Sequence, residues 1–210
     1  MSLADGGVTA QGITVGGHGV ARAAPQLARV RFGASVGRPR LEDSLSAADA
    51  VVRRVREALD RFGVPREDAV TGWLSVQQIH HEGVYRSGHT IEVTVRDLAR
   101  VGDLLAGVLL AGGEGSTLDG VEFDVTDRTR LATEARAAAW DDAHGRAEQL
   151  AAHAGRRLGA VTAVAEVEPG FRPVTRAMTF AAAGAGPESV DVEPGAVAVE
   201  VSLTVTWSFA

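Results

Sequence analysis

The clearest pattern in the chain is a strict alternation of apolar and polar residues near its carboxyl end. Apolar side chains occupy every second position from Val197 to Phe209, and small or polar residues stand between them. A period of two is typical of a β-strand with one buried face. We therefore predict a terminal strand that is packed on one side and either solvated or covered by a partner on the other.

Two segments repeat their apolar residues at helical spacing instead. The first ends before Gly63 and Pro65, and its stripe comprises Leu41, Leu45, Ala48, Val52, Val55, Leu59 and Phe62. Packing of this stripe on a sheet is the favoured interpretation, and a coiled-coil seam is the alternative. The second helix is predicted from Thr129 to His153, with alanine at every fourth position, a pattern that allows close packing: Ala135, Ala139, Ala143 and Ala147.

The remaining patterns predict six more strands and one short helix. Asp97 is the predicted cap of the helix, which Gly112 and Gly113 close. The strands are Ile13–Ala21 and Gln26–Val36, joined near Pro25, then Val70–His80 and Thr90–Val95, connected by residues 81–88, and finally Leu118–Val125 and Leu158–Val167. This order predicts an α+β fold with layered antiparallel or mixed sheets and helices packed on one face.

A length of 210 residues is compatible with one or two domains. We expect a single domain over residues 12–210, preceded by a disordered segment at 1–11. Residues 12–96 and 97–210 each contain a strand-helix-strand-strand order, so they are candidate subdomains and a candidate structural repeat.

Residues 168–195 are predicted to form a long loop. The segment has an alanine- and glycine-rich run and four prolines, at Pro169, Pro173, Pro187 and Pro194. Loops of this length are functional or mobile in most compact domains. We consider two interpretations, a binding site for a protein partner and a disordered filler.

Composition excludes several kinds of chemistry. The chain has no cysteine and no lysine, which removes thiolate catalysis, cysteine-bound zinc and Schiff-base or P-loop lysines. Its net charge of −6 argues against a nucleic-acid partner. No apolar run is long enough for a transmembrane segment. Residues 1–11 carry no export signal, so we expect a cytoplasmic protein, or an exported one if a leader has been removed.

One group of residues has the side chains of a metal site. His80, His81, Glu82 and His89 flank the predicted hairpin connection, and imidazole with carboxylate suits zinc or another borderline metal. However, neighbouring strand residues face opposite sides, so His80 and His81 cannot easily share one ion. We regard solvated loop histidines as the preferred interpretation, and we expect no bound cofactor.

Other motifs give no catalytic residue. The run Gly16-Gly17-His18-Gly19 lacks the lysine of a P-loop and leads into a strand, so a bulge or the close approach of a strand explains it better than phosphate binding. No Gly-x-Ser-x-Gly elbow is present. Asp142 and Arg146 have the spacing of a helical ion pair. We therefore expect a protein that is not an enzyme.

Several segments together resemble the SIMPL-domain family, whose bacterial members include oxidative-stress-defence proteins and a periplasmic immunogen. The matching segments span residues 12–210 and include Ile13–Val20, Val93–Leu98, Leu118–Phe123, Glu134–Ala139, Asp142–Ala151, Leu158–Val161 and Pro194-Gly195. The resemblance implies an α+β fold, self-assembly into rings or channel-like oligomers, and a role in stress defence or signalling. It supplies no agreed catalytic residue.

Two features depart from this family. Members of the family usually carry an export signal, whereas residues 1–11 show none. Members also often have Asp after the proline, whereas Gln26 follows Pro25 here. We expect a non-enzymatic, self-assembling homo-oligomer. The alternative is a metal- or small-molecule-binding protein that uses the hairpin from His80 to His89.

Overall fold

The computed structural model describes residues 12–173 and 195–210, and for 167–173 it describes the backbone alone. The helices are α1 (Leu41–Arg61), α2 (Val101–Gly112) and α3 (Arg128–His153), with 3-10 turns at Arg66–Asp68 and Leu98–Arg100. The strands are β1 (Gly12–Ala23), β2 (Leu27–Arg38), β3 (Ala69–Ile79), β4 (Val84–Val95), β5 (Ser116–Asp124), β6 (Leu158–Pro173) and β7 (Val197–Phe209). This order and the α+β class confirm the prediction from the sequence.

Two antiparallel sheets contain these strands. One has the order β1-β7-β6 and the other has the order β3-β4-β2-β5. Residues 12–23, 127–173 and 196–210 form a three-stranded unit with α3, and residues 24–126 form a four-stranded unit with α1 and α2. These units differ from the halves 12–96 and 97–210, because β1 pairs along its whole length with β7 from the far end of the chain.

The four-stranded unit has its core between the sheet and α1 with α2. Side chains from the middle strands, among them Val30, Phe32 and Ile91, are almost fully buried against Val55 and Leu105 of the helices. The opposite face of β2 carries Arg29 and Arg31, which are exposed. This arrangement follows from the period of two, which sends alternate side chains to opposite faces.

Helix α1 packs on the sheet as predicted, but its buried stripe is shifted. Leu41 is exposed, and the buried residues are Ser44, Ala48, Val51, Val55, Ala58 and Leu59. The helix begins at Leu41, and its N-cap residue Arg40 makes no side-chain capping bond.

The three-stranded unit is built from one helix packed on one sheet face. Helix α3 buries all four predicted alanines, and β7 buries every second residue from Val197 to Trp207 on the facing side. The rings of Trp140 and Trp207 meet with centroids 6.0 Å apart. Both the alanine ladder and the alternating terminal strand are therefore confirmed as parts of a core.

Three predicted boundaries were wrong. Strands β3 and β4 pair as far as Ile79 and Val84. Strand β4 therefore begins at Val84, and residues 80–83 alone make the turn. Asp97 makes no side-chain cap, and a 3-10 turn separates it from α2. Strand β6 continues to Pro173, so residues 168–173 of the predicted loop belong to a sheet. Residues 1–11 and 174–194 lie outside the described residues.

Candidate functional site

The most unusual surface of the four-stranded unit is its edge strand β3. The burial pattern of β3 leaves nearly every residue exposed, including four large apolar side chains. Their exposed fractions are 50% for Val70, 68% for Trp73, 57% for Leu74 and 45% for Val76. We call these four residues the β3 edge surface. Isolated apolar residues are common on protein surfaces, whereas a contiguous group marks an interaction site.

The β3 edge surface presents apolar groups on both faces of the sheet. Directly paired residues of neighbouring strands lie on the same face. Trp73 pairs with Thr90, whereas Leu74 pairs with His89, which faces α1 through Asp49. Thr71 pairs with Ile91 and Trp73 pairs with Thr90, so Gly72 is an extra residue in β3 at a register shift. An added strand would therefore find apolar contacts above and below the plane of the sheet.

The backbone of β3 is available along most of its outer side. Strand β4 is its only hydrogen-bonded neighbour within residues 12–173 and 195–210. Arg56 of α1 binds the start of the strand, because its guanidinium donates to the carbonyl of Ala69 and to the hydroxyl of Thr71. In the described part of the chain, no side chain donates to or accepts from the backbone of residues 72–79.

The opposite edge of the same sheet has a different character. Strand β5 carries exposed Thr117, Asp119 and Glu122, and the Thr117 hydroxyl donates to Asp119 at 2.7 Å. Charged residues on an edge strand discourage pairing with other chains. The contrast between the two edges makes β3 the better candidate for strand addition.

The sheet face that carries Arg29 forms a shallow charged cleft of about 340 Å³. Arg29 donates to the buried carboxylate of Asp124 at 2.9 Å, which fixes its guanidinium beside the cleft. Glu92 and Val70 line the same cleft. The cleft therefore adjoins the β3 edge surface, with charges of both signs.

The predicted metal ligands are not brought together. His80, His81 and Glu82 occupy the turn, where His81 Nε2 lies 3.5 Å from Glu82 Oε1. His89 lies five residues beyond the start of β4, a distance of about 17 Å along a strand, and its Nε2 is 3.2 Å from Asp49 Oδ1. Among residues 12–173 and 195–210, no group of three or more His, Asp or Glu side chains could hold a metal ion.

A serine and a histidine meet on the three-stranded unit without forming a triad. Ser202 Oγ lies 3.0 Å from His18 Nδ1 across paired strands. Asp142, however, accepts from the backbone N–H of His18 at 2.9 Å and makes no bond to the ring. A catalytic triad needs the carboxylate on the imidazole, where it orients the base. The geometry is that of a cross-strand polar pair.

The family model of SIMPL, described as a protein of unknown function (DUF541), matches residues 13–207. The chain belongs to the SIMPL family. The match spans the three-stranded and the four-stranded units, so one SIMPL region contains both sheets.

Two curated proteins are similar to this SIMPL chain over most of its length. They are the 26 kDa periplasmic immunogenic proteins of Brucella melitensis biotype 1 and of Brucella abortus (strain S19). Each is 26% identical over 211 residues, which cover 93% of this chain and 83% of the relative. The helices in the described residues of the SIMPL chain are too short or too polar to cross a membrane.

The glycine run of the SIMPL chain is explained by a close backbone approach. A Cβ atom at Gly17 would lie 2.1 Å from the carbonyl oxygen of Ala139, and one at Gly19 would lie 2.0 Å from that of Ala135. The sequence indicated a bulge or the close approach of a strand, whereas the element that approaches Gly17 and Gly19 is helix α3. Gly17 and Gly19 therefore let α3 lie directly on β1.

The β3 edge surface was not predicted from the sequence. The segment Val70–His80 predicted a strand, but its apolar residues do not alternate, because Trp73 and Leu74 are adjacent. Adjacent apolar residues next to Gly72 are a signal of a bulge or of a strand with two apolar faces. That signal was present in the sequence, although it does not reveal whether the strand lies at an edge.

Proposed function

We propose that this SIMPL protein acts without catalysis and associates with further copies of itself through the β3 edge surface, in the periplasm. The observation that carries the proposal is an apolar edge strand whose outer side has no partner strand among the described residues, on a unit whose other edge is charged. Strand addition to such an edge gains main-chain hydrogen bonds, and alternate side chains supply specificity.

The compartment in this proposal comes from the relatives. Both similar Brucella proteins are named as periplasmic, and SIMPL members usually carry an export signal. The absence of cysteine and the net charge of −6 are compatible with that location. Fractionation of cells that express the full gene, with its native start, tests it. Recovery in the cytoplasmic fraction alone would contradict the proposed compartment.

Association through β3 is tested by placing a charge on the edge. Leu74→Lys puts an ammonium group where an added strand would bury it, which raises the dissociation constant by about tenfold or more. Sedimentation velocity over a concentration series measures the change. Leu110→Lys is the matched control, because Leu110 is 63% exposed on α2 of the same unit and should leave association unchanged.

Two results would refute the association. One is a wild-type protein that sediments as a monomer at micromolar concentration and above. The other is a Leu74→Lys protein that associates as well as the wild type and the Leu110→Lys control do. Circular dichroism of all three proteins establishes that they are folded.

A role in stress defence or signalling, which the family resemblance implies, is part of the proposal. It predicts that cells lacking the gene survive peroxide less well than the parent strain, and that the wild-type gene restores survival. If association is the active form, the gene for Leu110→Lys restores survival and the gene for Leu74→Lys does not.

A further inference from the structure

The three-stranded sheet has two edge strands, β1 and β6, and side chains of α3 bind backbone groups on the outer side of β1. The backbone N–H of His18 donates to Asp142 Oδ2 at 2.9 Å, and the carbonyl oxygen of Gly16 accepts from Arg146 Nη1 at 3.1 Å. Asp142 and Arg146 lie one turn apart on α3 and are themselves joined, with Arg146 Nε 3.1 Å from Asp142 Oδ1. We call this pair the α3 clamp.

The α3 clamp binds the backbone groups that an added strand would use. In an antiparallel sheet, alternate residues direct their N–H and C=O groups to opposite sides of the strand. Gly16 and His18 are two residues apart, so the N–H and C=O groups of both residues point away from β7. The clamp takes one donor and one acceptor near the middle of β1, where their loss interrupts any continuous ladder.

The glycine run brings the clamp within reach. Because Gly17 and Gly19 have no side chains, the backbone of α3 lies against β1 itself, and the short carboxylate of Asp142 reaches the strand. A longer separation between helix and strand would place Asp142 beyond hydrogen-bond distance. The close approach and the clamp are therefore two parts of one arrangement.

We propose that the α3 clamp closes β1 against strand addition by a second copy of this chain. Edge strands are templates for pairing, and natural proteins protect them with charges or covering elements. The clamp does so by hydrogen bonds to the backbone, whereas residues 72–79 of β3 receive no such bonds among the described residues. Removing the clamp exposes a second association surface that the wild-type protein does not use.

The test removes the α3 clamp in a protein whose β3 edge surface already carries the Leu74→Lys substitution. In the Leu74→Lys background, Asp142→Ala with Arg146→Ala should produce species whose sedimentation coefficient rises with concentration. The matched control is Arg130→Ala with Glu134→Ala, which removes another ion pair of α3 that makes no bond to β1. Hydrogen exchange at the His18 amide should be about five- to tenfold faster without the clamp, as expected for one lost hydrogen bond.

The Asp142→Asn variant tests the hydrogen bond to His18 without the double alanine substitution in α3. Its side-chain oxygen can still accept from His18, so this variant should exchange slowly and resist association, even if the double alanine variant is too unstable to study. The proposal is overturned if the double variant is folded, exchanges faster at His18 and still sediments as the Leu74→Lys protein does. It is equally overturned if Asp142→Asn keeps His18 protected but associates.

The outcomes for the two edges are separate. If Leu74→Lys alone does not reduce association, the role proposed for β3 fails. The comparison between clamped and unclamped proteins in that same background still decides whether β1 is a closed edge.

Discussion

Glu166 on β6 accepts hydrogen bonds from two nitrogens of Arg136 on α3, with Arg136 Nε 3.0 Å from each carboxylate oxygen and Nη2 2.9 Å from Oε1. The hydrogen bonds from the Arg136 guanidinium lower the pKa of Glu166 from its ordinary value of 4.5. Desolvation of the carboxylate opposes this shift, and the positive charge of Arg136 adds to it. The two side chains thus link the helix to the outer strand of the three-stranded unit.

This pair predicts a pH-dependent difference in stability. A lowered pKa in the folded protein means that the pair stabilises the fold fully above the unfolded-state pKa and loses that effect as the pH falls through the folded-state value. Glu166→Gln should therefore unfold at slightly lower urea concentration at pH 7, and the difference should shrink in acid. The effect is small because both side chains are solvent-exposed.

Urea unfolding at several pH values measures the Glu166 effect. Glu134→Gln is a suitable control, since Glu134 pairs with Arg130 inside α3 and links no second element. A Glu166→Gln protein whose deficit is the same in acid as at neutral pH would contradict the assignment.

The glycine run allows a prediction with a control inside the same strand. At Gly19 a Cβ atom would lie 2.0 Å from the carbonyl oxygen of Ala135 and 2.3 Å from the nitrogen of Ala139, so α3 would have to move. Gly19→Ala should destabilise the fold by roughly 3 kcal/mol, the upper part of the range for overpacking. At Gly16 the nearest atom is 3.8 Å away, and Gly16→Ala should be tolerated.

Thermal and urea unfolding distinguish the two glycines. Equal stability of the Gly19→Ala and Gly16→Ala proteins would mean that α3 does not lie directly on β1. Gly19→Ala should also speed hydrogen exchange at the His18 amide, because moving α3 withdraws Asp142 from the strand.

Local patterns identified the elements, whereas the pairing of strands depended on contacts that leave no local pattern. The alanine ladder from Ala135 to Ala147 and the alternation in β7 revealed their buried faces, because each face repeats within its own segment. The pairing of β1 with β7 joins residues almost 200 positions apart, such as Gly12 and Ser208. Nothing near Gly12 in the sequence specifies that partner.

The positions of the candidate site residues likewise depended on strand pairing that no local pattern reveals. His80, His81, Glu82 and His89 are close in sequence, but the strand length after Val84 separates His89 from the turn. By contrast, Trp73 and Leu74 were visible as apolar residues of a strand. Their exposure depends on β3 being an edge, which is a property of the whole sheet order.

Gly145 predicts a stabilising substitution. It lies inside α3, and a Cβ atom there would meet no atom within 4 Å. Alanine restricts the unfolded chain and favours the helix, so Gly145→Ala should stabilise the protein by about 1 kcal/mol. Denaturant unfolding measures the gain. A loss of stability would indicate that this face of α3 contacts another surface in solution.

The buried serines of the four-stranded unit provide a prediction about coupling. The Ser44 hydroxyl donates to the Val36 carbonyl at 2.8 Å and lies 2.9 Å from Ser87 Oγ, and both serines are fully buried. Ser44→Ala leaves the Ser87 hydroxyl and the Val36 carbonyl without this partner, which should cost about 2 kcal/mol. Ser87→Ala should cost less, because Ser44 keeps its bond to Val36.

A double-mutant cycle tests whether the two hydroxyls act as one unit. Once Ser44 is alanine, replacing Ser87 also removes a buried hydroxyl that has already lost its partner, so the double variant should be more stable than the sum of the single losses predicts. Urea unfolding of the four proteins gives the coupling energy. Strict additivity would show that Ser87 finds another partner when Ser44 is replaced, and the start of α1 would then not depend on this contact with β4.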